Sequence, residues 1–99
     1  MNLTAQELED LADDLVESHD LLLEKLVSMR KKHNLSQDQV AERMGVSQPT
    51  VSAFERYDAN PTLGTIRRYA LAVGASIQHE IKDACQSRIV AMAFCEPRS

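Results

Sequence analysis

Within "VSQPTVSAFERY", residues 46–57, Gln48, Thr50, Ser52 and Arg56 place an amide, two hydroxyls and a guanidinium along one short stretch. These groups donate and accept hydrogen bonds and bring one positive charge, yet no acid, base or nucleophile stands in a supporting constellation. Their chemistry suits contact with a polar surface better than bond breaking. Only Val51 and Phe54 are expected to face inward, which leaves a small polar helix face as a reading surface.

Catalysis fits the chain poorly. Ser47, Ser52 or Cys85 would serve as a nucleophile, but no histidine is placed in the sequence to act as its base, and there is no glycine-rich phosphate loop. His19, His33 and His79 are scattered over different segments and suggest no metal site. Cys85 and Cys95 lack metal-ligand spacing and are most simply free thiols in a reducing compartment. No enzyme activity, metal or cofactor is expected.

Ninety-nine residues suffice for one domain with appendages. No apolar run approaches the roughly 18 residues that span a bilayer, and the start "MNLTAQELEDLADDL" lacks the basic flank and apolar stretch of a signal peptide. A soluble, cytoplasmic protein without membrane contact is expected. The net charge of −4 hides a division, because residues 1–24 hold eight acids and no base, while residues 25–72 hold eight bases and four acids. The basic middle can attract a polyanion although the whole chain is acidic, since screening favours the local patch over the distant total.

These patches must be positioned by helices. Thr4 with Glu7 makes a capping box, and Leu8, Leu11, Leu15, Leu22, Leu26 and Met29 recur at helical spacing. One long or slightly broken helix from about residue 5 to 33 is expected, with "ESHD" at 17–20 as the place for a break. A second capping box, Ser36 with Gln39, opens a short helix with Val40, Ala41 and Met44 on its apolar face, which Gly45 ends. Ser47 is expected to cap the next helix, and Pro49 fits its first turn because proline has no amide proton to lose there. A final helix from about residue 62 turns Leu63, Ile66, Ala70 and Val73 inward and stops at Gly74.

After Gly74 the period changes. "ASIQHEIK" alternates, and "RIVAMAF" is a short run with β-branched residues, so two strands are expected, paired as a hairpin or with a second subunit. A helix over residues 83–94 is the competing possibility, since Ala84, Ala91 and Ala93 favour it. The expected fold is mainly α, a compact helical domain at residues 25–74. It is preceded by an acidic amphipathic extension at 1–24 and followed at 75–99 by strands or a tail able to dimerise.

Two capped helices joined by a glycine turn, the second polar at its start, describe a helix-turn-helix. The pattern "LSQDQVAERMGVSQPTVSAFE" followed by "NPTLGTIRRYALAVG" resembles the Xre family, which includes Cro and the lambdoid phage repressors. The resemblance covers about half the chain and implies a lambda-repressor-like domain that binds double-stranded DNA.

That resemblance assigns roles by position. Gln37 matches a glutamine that holds a phosphate and supports the reading helix, and Gln48 matches one that meets a base edge. An amide suits that task because it presents a donor and an acceptor together, complementary to adenine N6 and N7. Pro49, Thr50, Ser52 and Ala53 would line the groove, Pro49 by van der Waals contact where some relatives carry a polar residue. Ser47, Arg56, Asn60, Lys31 and Lys32 are candidate phosphate contacts, and for the lysines and Asn60 a simply solvated side chain is an equal alternative. Arg30 and Glu55 match a structural pair joining the preceding helix to the end of the reading helix.

One helix-turn-helix reads few base pairs, so a homodimer on a palindromic operator is expected. The extension, the domain and the C-terminal segment together resemble antitoxins of the host-inhibition-of-growth type, which repress their own promoter and neutralise a ribonuclease toxin. The acidic head suits a basic toxin, or packs Leu8, Leu11 and Leu15 on the domain or a second copy. Phage regulators without a toxin share the central pattern, and a protein-interaction module with Gln48 as a mere surface amide is the alternative outside DNA binding.

Overall fold

The computed structural model describes residues 3–56 and 58–84. Four helices follow in order, α1 (Ala5–Lys32), α2 (Gln37–Met44), α3 (Gln48–Phe54) and α4 (Leu63–Val73). Residues His19–Gln78 pack as one unit, and the described residues before and after them, 3–18 and 79–84, belong to a second.

Helix α1 runs unbroken through "ESHD". Its capping box is complete, with the Glu7 amide donating to Thr4 Oγ1 and the Thr4 amide to Glu7 Oε1. It ends at Asn34, whose φ of 58° is left-handed. The Asn34 amide donates to Lys31 and that of Leu35 to Arg30, an ending usually made by glycine. Helix α2 carries its full Ser36 and Gln39 box and stops at Gly45, φ 71°. Helix α4 is capped by Thr62 and stops at Gly74, φ 78°.

Ser47 departs from expectation. It stands at the N-cap of α3 but makes no side-chain bond to the helix amides. Proline at position 49 removes one amide such a cap would use, and the Thr50 amide already donates to the Ser47 carbonyl. The Ser47 hydroxyl therefore lies 2.9 Å from that of Thr50.

The core gathers Leu23 and Leu26 of α1, Val40 and Ala41 of α2, Val51 and Phe54 of α3, and Ile66, Tyr69, Ala70, Ala72 and Val73 of α4. Removing a side chain of valine or leucine size from water contributes roughly 1.5–3 kcal/mol, so these contacts hold α3, at seven residues too short to stand alone. Phe54 stacks on Tyr69 with ring centroids 4.2 Å apart. Leu63, expected inside, is 56% exposed. It is the first residue of α4, and the inward face is completed by Tyr69 and Ala72 instead. In α1, Leu26 is buried and Leu22 and Met29 pack partly, whereas Leu8 and Leu15 are exposed.

The expected β segment needs correction. Among the described residues there is no strand, and residues 75–83 have no regular structure. Alternation alone does not make a strand, because the backbone groups need a paired neighbour. The second expected strand, at 88–94, and most of the competing helix at 83–94 lie outside the described residues.

Candidate nucleic-acid interface

Gly45 lets the chain reverse between α2 and α3, and α2 packs against both α3 and α4. The turn leaves Pro49, Thr50 and Ala53 exposed and Gln48 and Ser52 half-buried, while Val51 and Phe54 anchor the opposite side of α3. Small side chains on this surface permit close approach of another molecule.

Gln48 does not hang free. Its Nε2 donates to Gln37 Oε1 at 2.6 Å, and Gln37 Nε2 donates to Glu55 Oε1 at 3.1 Å. The first residues of α2 and α3 are thus joined to the end of α3. Each amide nitrogen has two hydrogens, so both glutamines keep one N–H beyond these bonds.

Glu55 is the hub. Arg30 donates from Nε to Oε2 at 2.7 Å and from Nη2 to Oε1 at 2.9 Å, and the Tyr69 hydroxyl donates to Oε2 at 2.7 Å. The remaining Arg30 nitrogen, Nη1, donates to the Leu35 carbonyl at 2.8 Å. The Arg30 and Glu55 side chains are only 12% and 7% exposed, so the charges are mostly removed from water and depend on each other. Burial pushes the Glu55 carboxyl up, but hydrogen bonds from Arg30, Tyr69 and Gln37 with the Arg30 charge outweigh it and hold it below its ordinary value. Burial pulls Arg30 down while Glu55 more than restores it, and burial together with Glu55 pushes the Tyr69 hydroxyl well up.

The expected phosphate contacts divide into groups. Lys31 and Arg56 line one cleft with Ser28 and Val27, but Asp20 and Glu24 line it too and offset their charge. Arg56 also lies 3.5 Å from Asp58, both largely exposed. Asn60 shares a shallow groove with Thr50 and Ala53. Lys32 is exposed at the end of α1, and the Ser47 hydroxyl stays beside that of Thr50.

Sequence reasoning missed Tyr69. Its place three residues after Ile66 on the inward face of α4 was the available signal, and the buried carboxylate it serves became visible only in three dimensions. It also missed the end of α4, whose last carbonyls are all occupied. Ala70 and Leu71 accept from the backbone of Gly74, Ala72 accepts from Arg43 Nη1 at 2.8 Å, and the Val73 carbonyl lies 2.8 Å from His33 Nδ1.

The profile of the helix-turn-helix family matches residues 26–79, more than half of the chain. The chain belongs to that family. Antitoxin HigA1 of Mycobacterium tuberculosis, in strains H37Rv and CDC 1551, is 49% identical over 57 residues, which are 58% of this chain and 38% of that protein. Control protein C.SmaI of Serratia marcescens is 36% identical over 58 residues, 59% of this chain and 69% of that one. The chain therefore spans well under half the length of the HigA1 antitoxins it matches. No solved structure matches. Among the described residues of this helix-turn-helix protein, no group of histidine, cysteine or carboxylate side chains is arranged to hold a metal ion, and no helix is long and apolar enough to cross a membrane.

Proposed function

We propose that the chain is a sequence-specific DNA-binding transcriptional regulator, a cytoplasmic repressor that binds a palindromic operator as a homodimer. The observation that carries this reading is Gln48, half-buried and bonded to Gln37 at the start of an α3 that exposes Pro49, Thr50 and Ala53. In this proposal Gln48, Pro49, Thr50, Ser52 and Ala53 meet base edges in the major groove. Gln37, Ser47, Arg56, Asn60, Lys31 and Lys32 meet phosphates, and Arg30 with Glu55 holds the scaffold. Binding rather than catalysis is the activity.

The biological role proposed is that of an antitoxin acting on its own promoter and on a basic ribonuclease toxin. Identity of 49% to antitoxin HigA1 supports it. So does the head of the chain, which adds exposed Leu8, Leu15 and Val16 to eight acids, an apolar and negative surface suited to a basic protein. A regulator without a toxin is the second reading, favoured by the match to a control protein over 69% of its length.

The test is binding to the DNA upstream of this chain's own gene, wild type against Gln48→Ala over a salt series. A steep salt slope is expected, with a loss of about 1–3 kcal/mol in the variant on that site and little change on random DNA. Equal wild-type affinity for the upstream site and for random DNA would remove the autorepressor reading. Neutralisation of the toxin by a chain lacking residues 1–24 as effectively as by the full chain would remove the proposed role of the head.

A further inference from the structure

The hydrogen bonds that run from Tyr69 and Arg30 through Glu55 and Gln37 to Gln48 have a direction. A carboxylate only accepts, so Glu55 obliges Gln37 to turn its Nε2 inward, at 3.1 Å from Glu55 Oε1. With its nitrogen inward, Gln37 turns its carbonyl oxygen toward α3, where it accepts from Gln48 Nε2 at 2.6 Å. Gln48 is then bound through one N–H and keeps its Oε1 and its second N–H for an outside partner. Reversing the Gln37 amide would set its oxygen against a carboxylate and its N–H groups against those of Gln48, a repulsion at both ends.

Glu55 is itself held in the charged, accepting state. Arg30 binds it with two parallel bonds and Tyr69 with a third. Neither Arg30 nor Tyr69 lies on α3, so the orientation of the Gln48 amide is set from α1 and α4.

We propose that Glu55 acts through Gln37 as a positioning residue that fixes the orientation of the Gln48 amide and thereby the base it selects. The proposal rests on Gln48 reading a base. With Oε1 and one N–H presented in fixed order, the amide complements a base edge that offers a donor beside an acceptor, which in the major groove is adenine, N6 with N7. A freely rotating amide would present either order and would distinguish adenine less well.

The experiment selects bound sequences from a randomised duplex pool, using the full chain as wild type, Gln48→Ala, Gln37→Leu and Glu55→Gln, each checked for helix content by circular dichroism. Gln48→Ala identifies the position that Gln48 reads. The ratio of adenine to the next base there is then measured by titration of individual duplexes. Wild type is expected to show a ratio of about tenfold or more. Gln37→Leu should bring that ratio down to near that of Gln48→Ala while preferences at other positions persist. Glu55→Gln, whose amide can donate to Gln37, should lower it also, and a folded Glu55→Gln with the wild-type ratio overturns the role of Glu55. If Glu55→Gln does not fold, Glu55→Asp, which keeps a charge for Arg30 but draws it back from Gln37, decides in its place by the same ratio. A Gln37→Leu ratio equal to that of wild type overturns the proposal, even where binding to all duplexes weakens together, since that pattern belongs to a phosphate contact. If Gln48→Ala alters no base preference, base reading by Gln48 fails and the positioning role falls with it.

Discussion

The hydroxyl of Tyr69 donates to Glu55 Oε2 at 2.7 Å while the Tyr69 ring stacks on Phe54, so one side chain binds the end of α3 by both its polar and its apolar parts. Tyr69→Phe separates the two contributions. The stack remains and one hydrogen bond to a charged group is lost, so urea unfolding should show a loss of about 1.5–3 kcal/mol. A variant as stable as wild type would show that the hydroxyl contributes nothing.

Arg30 makes two bonds to Glu55 and one to the Leu35 carbonyl. Arg30→Ala leaves a mostly buried carboxylate without its counter-charge and should cost about 3–5 kcal/mol. Arg30→Lys restores the charge but not the forked geometry and should recover only part of that loss. Complete recovery by lysine, measured by the same unfolding experiment, would contradict the importance of the fork.

Acid should weaken the domain through Glu55. Its carboxyl lies below the ordinary 4.5 in the folded chain, so its contribution is complete above that value and drains away as pH falls through the lowered one. In Glu55→Gln the acid side of the stability profile should flatten. A profile unchanged in shape would assign acid sensitivity to other carboxylates.

Alkali acts on Tyr69 in the opposite sense. Its folded pKa is raised above the ordinary 10.0, so the stabilisation is complete below that value and is lost as pH rises toward the folded one. In a Tyr57→Phe background, which leaves Tyr69 as the only tyrosine, ultraviolet absorbance should show no ionisation near pH 10.0 until the protein unfolds. Ionisation at the ordinary pH in folded protein would contradict the burial of this group.

Gly45 has φ +71°, and no heavy atom beyond its chain neighbours lies within 4 Å of the point a Cβ would occupy, so a side chain there meets backbone strain alone. Gly45→Ala should therefore cost about 1–2 kcal/mol in thermal or urea unfolding. A neutral result would mean that the α2 to α3 turn relaxes away from the left-handed conformation.

Much of the domain was legible because its signals are local. Capping boxes at Thr4 and Ser36 and glycine stops at 45 and 74 each depend on residues a few positions apart, and all four are present. Leu63 was misplaced because an apolar residue at the first position of a helix satisfies the periodic pattern without being covered by the core. Ser47 failed as a side-chain cap because its hydroxyl had a nearer partner in Thr50. The bonds of Tyr69, Gln37 and Gln48 join residues on different helices, and no periodicity within one helix encodes such a meeting. Alternation after Gly74 suggested a strand, but pairing is a property of two segments and one segment cannot supply it.

The occupied carbonyls at the end of α4 have a mechanical consequence. Arg43 and His33 reach the Ala72 and Val73 carbonyls across 29 and 40 positions of sequence. The last turn of α4 is therefore tied to α2 through Arg43 and to the α1–α2 turn through His33, and it cannot fray without releasing both. Loosening that end costs two bonds made by side chains from outside α4 in addition to the bonds of the helix itself.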